Sequence, residues 1–361
     1  MRQVLKSFRQ GAAADGLILW GVGTIWLLLL AFLASRGVNG LRFDSYSNNL
    51  LLYLSALLFF VVFLGGRELF RHRPDRPIPH LFNFCAKHDA LGHFMRGAPM
   101  LLALVVFMPA FSAMKSAIPL FHSYNWDHVW IAADRSIHGT DPWRLLQPLL
   151  GHPVVTAILA LMYHLWILLI YVGCVYFCFF QPDRELRSRY FVSFFGIWTV
   201  IGVIMATALA SVGPCFVGPL LGNHHYDAQL AYLHAANARV PIMVLPVQQE
   251  LLSWHLNSSH GLGRGITAMP SMHVALAFLF FLAVRKISRR AGIAAFLFCV
   301  VILVSSVHLA YHYAVDGYVS IAVTALIWWA AGALVRRSAG SGRPPGARKQ
   351  EAPLAQPALD M

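Results

Sequence analysis

The chain has 361 residues, of which 58% are hydrophobic and only 12% are charged. Soluble globular domains carry about 25% charged residues, so this composition excludes an ordinary soluble protein and indicates a membrane protein. The formal net charge is +13, which in a soluble domain would favour nucleic-acid binding. Here the basic residues fall in short segments between apolar runs, where they act as topology signals and contact anionic lipid head groups. We therefore expect no nucleic-acid partner.

The pattern of apolar runs predicts an all-α fold, a polytopic membrane helical bundle with a six-span core and two additional N-terminal spans. The first run follows a basic N-terminus but is too long for the apolar core of a signal peptide. We therefore interpret it as an uncleaved span. The eight predicted spans are 17–35, 49–65, 99–121, 156–180, 191–213, 269–285, 293–311 and 315–335.

Lysine and arginine concentrate in alternate connecting segments. With eight spans, these basic segments all fall on one side, which the positive-inside rule makes cytoplasmic. They are the N-terminus, 66–98, 181–190, 285–292 and the C-terminal tail. The predicted organisation is two additional spans in 1–65, a cytoplasmic linker in 66–98, a six-span catalytic core in 99–335 and a disordered basic cytoplasmic tail in 336–361.

Two connections on the opposite, extracytoplasmic side are long. Residues 122–155 are rich in tryptophan and aspartate, a composition that suits a helix lying at the membrane interface. In the connection 214–268, apolar residues recur at helical spacing over 244–254. This recurrence predicts an amphipathic helix lying over the site.

Two groups of polar residues lie on that same predicted side. The first, 269–273, opens the sixth span, and the second, 305–316, joins the seventh span to the eighth. His308, His312 and Asp316 are spaced four residues apart, so a continuous helix would place them on one face. Titratable residues at a membrane boundary are costly and by default indicate a functional site.

These residue types suit phosphoryl transfer. A carboxylate four residues after a histidine can accept the second ring N–H, which fixes the tautomer and stabilises the imidazolium. His312 and Asp316 fit that pair, and His273 then fits a general acid. Pro270 and Ser271 would begin the sixth helix, whose free N–H groups favour a phosphate.

Two other interpretations stay open at this point. A single histidine at a membrane boundary is usually a packing or interfacial residue. His308 and His312 also have the spacing of two metal ligands on one helix face, although no glutamate follows His308. The grouping of three titratable residues, with His273 one hairpin away, favours a catalytic site over both.

At these residues the sequence resembles the type 2 phosphatidic acid phosphatase superfamily. Its second motif, Pro-Ser-x-His, stands at 270–273, and the His-x-x-x-Asp of its third motif stands at 312–316. The resemblance implies a metal-independent enzyme without a cofactor, built on six helices within roughly 99–335. It also implies that His312 is a nucleophile forming a phosphohistidine, that Asp316 is its partner, and that His273 protonates the leaving group.

Two features depart from the phosphatase pattern. The third motif usually opens Ser-Arg, but Ser306 occupies the arginine position. The first motif, a lysine followed by Arg-Pro, is not found on the outer side, because the Arg-Pro pairs of 73–77 lie in the predicted linker. With these departures, the sequence is more similar to the branch that contains inositol-phosphorylceramide synthase and sphingomyelin synthase. Those enzymes move a phospho-head-group from a glycerophospholipid to a lipid alcohol. The segments 134–142 and 213–215 resemble that branch more weakly.

The missing cations leave the phosphate to be held by other residues. Arg264 precedes the second motif and can reach towards it. Lys115 lies near the outer end of the third span, where the alternative is that it snorkels to the interface. His308 can donate a hydrogen bond from one turn before the nucleophile. Together with Ser271 and Ser306, these are the candidate substrate-binding residues.

The sequence thus predicts a multi-pass enzyme of the cytoplasmic membrane with an extracytoplasmic active site. The favoured function is transfer of a phospho-head-group from a phospholipid to a lipid alcohol. One alternative is hydrolysis of phosphatidate or a polyprenyl phosphate or diphosphate, with water as acceptor. Another is a non-catalytic transporter or lipid-binding protein, for which His312→Ala would leave function intact.

Overall fold

The computed structural model describes residues 1–257 and 263–341. Within these ranges the chain forms helices and turns without any strand, which confirms the all-α class. Seven of the described helices are long and apolar enough to cross a membrane, so the protein is an integral, multi-pass membrane protein. The side on which each connection lies stays a prediction.

The first half of the chain contains four of the seven spanning helices, α2, α3, α5 and α8. A π-helical turn at Leu169–Gly173 interrupts α8. In chain order the helices are α1 (Arg2–Ala14), α2 (Gly16–Ser35), α3 (Phe43–His72), α4 (Pro77–Lys87), α5 (Ala90–Ala117), α6 (Asp127–His138), α7 (Pro142–Leu150) and α8 (Pro153–Phe179).

The second half supplies the remaining spanning helices, α9, α14 and α15. A π-helical turn at Val200–Met205 interrupts α9. The helices are α9 (Arg184–Ala208), α10 (Pro214–Leu221), α11 (Asp227–Asn237), α12 (Val244–Leu256), α13 (Met272–Val284), α14 (Arg289–His308) and α15 (Ala314–Ser341). Seven of the eight predicted spans each fall on one of the long helices.

The sixth predicted span, 269–285, is the exception. Its helix α13 has 13 residues, about 20 Å at 1.5 Å per residue, which is less than the roughly 30 Å of the hydrocarbon core. The helix starts late because the residues before it are held elsewhere: Met269 N donates to Ser211 Oγ at 3.1 Å. α13 packs against α9, α14 and α15 and is mostly buried, so these neighbours shield it from lipid.

The predicted linker and tail are more helical than expected. α3 continues to His72 and ends where Arg73 adopts a φ of 43°, and α4 and the start of α5 fill most of 77–98. Helix α15 continues to Ser341, so residues 336–341 of the predicted disordered tail are helical. Residues 342–361 lie outside the described residues. The division of the chain into domains stays a prediction.

Helix α5 lies at the centre of the bundle, and the N-terminal helices surround it on one side. In the most apolar stretch of α5, 78% of the residues are buried, against 17% in the corresponding stretches of α2 and α3. Helices α1, α2 and α3 all pack on α5. On α2 and α3, large side chains such as Trp20 and Phe59 are exposed, as expected for lipid-facing surfaces.

A buried amide attaches α3 to this central helix. Pro109 lies inside α5 and has no N–H, so it cannot pair with the carbonyl of Val105 four residues earlier. Asn49 Nδ2 donates to that carbonyl at 2.9 Å, and Asn49 Oδ1 accepts from Tyr171 OH at 3.2 Å. Asn49 therefore satisfies a backbone group that the proline leaves open.

Candidate active site

The segment between α14 and α15 is not a continuous helix. α14 ends at His308 and α15 begins at Ala314, and Ala310 between them has a φ of 62°. Such a left-handed residue stops a right-handed helix. The prediction that His308, His312 and Asp316 share one helix face is therefore wrong.

His308 is bonded within the packing of α8 and α11. Its Nε2 lies 2.9 Å from Thr156 Oγ1, which in turn lies 2.7 Å from Tyr232 OH. The side chain is buried. This geometry gives no support to its predicted roles as a phosphate donor or as a metal ligand paired with His312.

His312 and Asp316 form the predicted pair despite the break. His312 Nδ1 lies 3.1 Å from Asp316 Oδ2, and both side chains are buried. The same oxygen accepts a hydrogen bond from Tyr313 N at 3.0 Å. Since Nδ1–H donates to the carboxylate, the ring lone pair of His312 is on Nε2. Asp316 also lies in the first turn of α15, where the helix dipole stabilises its charge.

His273 meets this pair from the start of α13. Its ring centroid lies 6.1 Å from that of His312. The His273 ring also stacks on two rings of α8, Trp166 at 4.0 Å and Tyr163 at 4.3 Å. Tyr163 in turn stacks on Tyr311, next to the nucleophile candidate, at 5.1 Å. The sequence analysis missed both α8 rings, because aromatic residues three apart in an apolar span look like ordinary packing.

Tyr163 and Trp166 also carry polar groups. Tyr163 OH and Trp166 Nε1 are buried, and neither has a hydrogen-bond partner within 1–257 and 263–341. Buried donors are normally paired, so these two donors are available to bond oxygens of a ligand beside His273.

Ser271 joins the second motif to the third. It is the N-cap of α13, and its Oγ accepts a hydrogen bond from Val274 N at 3.5 Å. Its own N–H donates to the carbonyl oxygen of Asp316 at 3.4 Å. Ser271 is fully buried, so the structure shows it holding the motifs together.

Two buried aspartates of α6 hold the third motif from the other side. Asp134 accepts hydrogen bonds from Ala314 N at 2.8 Å and Val315 N at 2.9 Å, and so caps α15. Burial raises the pKa of Asp134 above its ordinary value, and the two N–H donors oppose that rise. Asp127 accepts from Tyr313 OH at 2.7 Å. The sequence analysis placed these aspartates at the membrane interface and did not predict their inward contacts.

The segment 213–215 is a direct neighbour of residues 309–313, which connect α14 to α15 and are called the His312 turn below. Gly213 has a φ of 87°, and a Cβ there would lie 2.6 Å from the carbonyl oxygen of Tyr311. Its N–H donates to Asp127 Oδ1 at 2.9 Å. Cys215 N donates to the carbonyl oxygen of Ala310 at 2.8 Å. Only glycine fits this conformation and this close approach.

Comparison with known proteins decides the family. Residues 128–330, more than half of the chain, match the PAP2 superfamily. The chain belongs to the PAP2 superfamily. The matched region contains both histidine motifs and extends from α6 into α15. No curated protein and no solved structure matches the chain. PAP2 membership indicates a function of the lipid phosphatase or phosphotransferase type.

In this PAP2 protein, two glutamine amides hold the end of α14. Gln229 Nε2 in α11 donates to the carbonyl oxygen of Val307 at 2.8 Å, and Gln248 Nε2 in α12 donates to that of Leu309 at 2.9 Å. These carbonyls lie at the helix C-terminus, where intrahelical donors run out. α12 is the helix predicted over 244–254, and its contact with Leu309 confirms that it packs beside the His312 turn.

The two candidate cations lie near the segment that leads into the second motif. Gly265 packs on the backbone of Lys115, where a Cβ would lie 3.0 Å from the Lys115 carbonyl carbon. The Lys115 side chain is partly buried, lies close enough to His273 to interact with it electrostatically, and has no hydrogen bond or ion pair in the described part of the chain. Arg264 instead lies over the ring of Trp254 at 4.9 Å. Lys115 is therefore the better placed of the two to bind an anion.

Ser306 does not replace the arginine of the phosphatase pattern. Its side chain is buried, and its Oγ donates to the carbonyl oxygen of Leu303 at 2.7 Å within α14. A neutral hydroxyl bonded within its own helix offers neither the charge nor the paired donors of a guanidinium. The geometry gives no support to its predicted contact with substrate.

Proposed function

We propose that this PAP2 protein is a lipid phosphotransferase, which moves a phospho-head-group from a phospholipid to a lipid alcohol through a phosphohistidine on the extracytoplasmic side. The main observation behind the proposal is that the imidazole rings of His312 and His273 lie close together. Asp316 orients His312 through a contact of 3.1 Å, and the His273 ring lies 6.1 Å from the His312 ring. The proposal also rests on the resemblance to the synthase branch.

In the first step, Nε2 of His312 attacks the phosphorus of the donor lipid. The phosphorus–oxygen bond to the lipid alkoxide breaks, and His273 donates a proton to the departing oxygen. Asp316 stabilises the positive charge that develops on His312. In-line transfer needs the phosphorus about 3–3.5 Å from His312 and the departing oxygen about 2.6–3.2 Å from His273. The 6.1 Å between the two ring centroids supports the assignment of both groups to one reaction centre.

In the second step, the acceptor lipid alcohol replaces the departed alcohol. His273, now neutral, removes the hydroxyl proton as the acceptor oxygen attacks phosphorus. The phosphorus–nitrogen bond breaks, and its electron pair returns to Nε2 of His312. Lys115 supplies the positive charge near the phosphoryl oxygens, and the unpaired donors of Tyr163 and Trp166 supply hydrogen bonds to them.

The burial of His312 and Asp316 is compatible with transfer to a lipid acceptor. His312 and Asp316 are buried, and His273 is covered by the rings of Tyr163 and Trp166. A site that excludes bulk water protects a phosphohistidine until a lipid acceptor arrives from the bilayer. Hydrolysis uses the same residues with water in place of the alcohol, so the acceptor dependence separates the two.

The experiment uses purified full-length protein and phospholipid vesicles labelled in the head-group phosphate. The vesicles contain long-chain phosphatidylcholine, phosphatidylethanolamine and phosphatidylinositol, with or without ceramide or a short-chain diacylglycerol whose product separates from the donors. We expect a new labelled lipid only when an acceptor alcohol is present, and acid-labile label on the protein when it is absent. Water-soluble label released equally with and without acceptor would instead identify a hydrolase.

Two variants complete this test. His312→Gln removes the nucleophile and should abolish both protein labelling and product. His128→Gln changes an exposed histidine of α6 and should leave both unchanged. Labelled product from His312→Gln at the wild-type rate would rule out the assigned nucleophile. Absence of any turnover or labelling in the wild type across these lipids would favour a non-catalytic protein.

A further inference from the structure

A separate group of ligand-type side chains lies at the turn between α3 and α4. Glu68 and His72 are one helical turn apart at the end of α3, and His80 lies in the first turns of α4. Glu68 Oε1 is 3.1 Å from His72 Nδ1 and 3.1 Å from His80 Nε2. One ligand atom from each residue lies within 4.8 Å of the other two. None of the contacts described for the candidate active site involves these residues.

The local sequence explains why the three side chains meet. α3 ends after His72, where Arg73 takes a left-handed conformation, and Pro77 starts α4. Proline is favoured in the first helical turn, so the chain reverses within a few residues. The reversal brings His80 back beside Glu68. In the chain as described, this is the one group of three or more such residues close enough to hold an ion.

We propose that Glu68, His72 and His80 bind a divalent transition metal ion, with zinc as the best match. Two imidazoles and one carboxylate form a known class of zinc ligand set, with water in the fourth position. Ligands about 2.0–2.1 Å from a tetrahedral ion lie roughly 3.3–3.4 Å apart. The two distances of 3.1 Å are close to that spacing, so small side-chain rotations suffice.

The surrounding charges argue against a diffuse acidic patch that attracts cations without direct bonds. Four arginines, at positions 67, 71, 73 and 76, flank the three ligand residues in sequence. Their charge repels loosely held cations, so any ion that binds must form direct bonds to the ligands. Imidazole ligands favour zinc, copper and nickel over magnesium and calcium. Magnesium should therefore not bind.

A bound ion would hold α4 against the end of α3. Glu68 is largely buried at this turn, with 15% of its side chain exposed, whereas His72 is 48% exposed and reachable from solvent. Since α4 also packs on α5, the ion would tie the end of α3, through α4, to the central helix. The expected consequence is higher stability with zinc than without it.

The test measures zinc binding by the full-length protein in detergent, after removal of any histidine tag and treatment with a chelator. Isothermal titration with zinc and with magnesium is followed by elemental analysis of the gel-filtered protein. We expect one zinc per chain and no magnesium. Glu68→Gln and His80→Ala should weaken zinc affinity by at least about 100-fold, since even outer residues of metal sites contribute about 10–100-fold.

Two controls distinguish this site from other histidines and from the candidate active site. His88→Ala changes an exposed histidine just after α4, and His312→Ala changes the catalytic candidate. Both should retain one zinc per chain and the zinc-dependent rise in melting temperature, while His80→Ala should lose that rise. Failure of wild-type protein to bind zinc, or equal binding by Glu68→Gln and His80→Ala, would show that these residues form hydrogen bonds only.

Discussion

The His312 turn and the N-terminal pair of helices α2 and α3 differ in how they are held. The turn packs in a buried apolar cluster and is also fixed by buried polar contacts: Asp127, Asp134, Gln229 and Gln248 all bond to it or to the adjacent helix ends. In each helix of the N-terminal pair, only 17% of the most apolar stretch is buried, and large apolar side chains are exposed at the surface. Asn49 is one of the few buried polar residues on that pair.

This contrast follows from what each region must do. Apolar surface inserts a helix into a bilayer but leaves its rotation and depth loosely defined. Hydrogen bonds in a water-poor setting fix the relative positions of the groups they join, because an unpaired polar group there is costly. We therefore expect substitutions at the turn to change activity steeply, and those in the N-terminal pair to change mainly stability.

The largest expected effect is that of Asp316→Asn. The amide cannot stabilise an imidazolium, and it favours the wrong tautomer of His312, so turnover should fall by about 10³- to 10⁴-fold. Turnover is measured with the labelled lipids described above. The matched control is Ser320→Ala, which removes only the hydrogen bond of 2.6 Å from Ser320 Oγ to the Asp316 backbone carbonyl. A similar loss in both variants would mean that the carboxylate has no special role.

The next largest effect compares two glycines with left-handed backbones. Gly213→Ala introduces strain and places a Cβ against the carbonyl oxygen of Tyr311, so the His312 turn must move. Turnover should fall by at least about tenfold, in line with the cost of a small misplacement of reacting groups. Gly37→Ala, with a φ of 72° but open space at its Cβ, should cost only about 1 kcal/mol of stability. Equal turnover in the two variants would contradict the view that the His312 turn controls activity while the N-terminal pair affects mainly stability.

The third prediction separates stacking from hydrogen bonding at Trp166. Trp166→Phe keeps a ring against His273 but removes Nε1–H, and Trp166→Leu removes both. An aromatic stack is worth about 0.5–1.5 kcal/mol, and a hydrogen bond contributes a similar amount. We therefore expect turnover to be roughly a few-fold slower in Trp166→Phe and about tenfold slower in Trp166→Leu. Trp20→Leu alters an exposed indole of α2 and should change nothing. Wild-type turnover by Trp166→Leu would exclude the stack from the mechanism.

Much of the architecture could be predicted from the sequence because membrane insertion depends on local composition. Seven of the predicted spans fall on long helices, since a long apolar run has few other stable states in lipid. The spacing of His312 and Asp316 also predicted their contact. It did so although the helix is broken before His312, because the first turn of α15 preserves the short separation between the two residues.

The rest required tertiary structure. The break at Ala310 carries no glycine or proline signal, and it is stabilised by long-range contacts such as that from Cys215 N. The contacts of Asp127 and Asp134 join residues nearly two hundred positions apart. Nothing in the local pattern distinguishes such inward aspartates from interfacial ones. Arg264 looked suitable as a phosphate ligand because sequence distance cannot show that it lies over Trp254.

The smallest effect on turnover is expected at Asn49, where the change should appear as lost stability. Asn49→Leu leaves the Val105 carbonyl and Tyr171 OH without their partner, which should cost about 1–2 kcal/mol in thermal unfolding while turnover stays near wild type. Pro109→Ala restores an N–H that can pair with Val105 within α5. The double variant should therefore lose less stability than the sum of the single variants. Strict additivity would mean that the Asn49 amide does not compensate for the missing N–H of Pro109. A marked fall in turnover for Asn49→Leu would mean that the N-terminal pair helps to shape the active site.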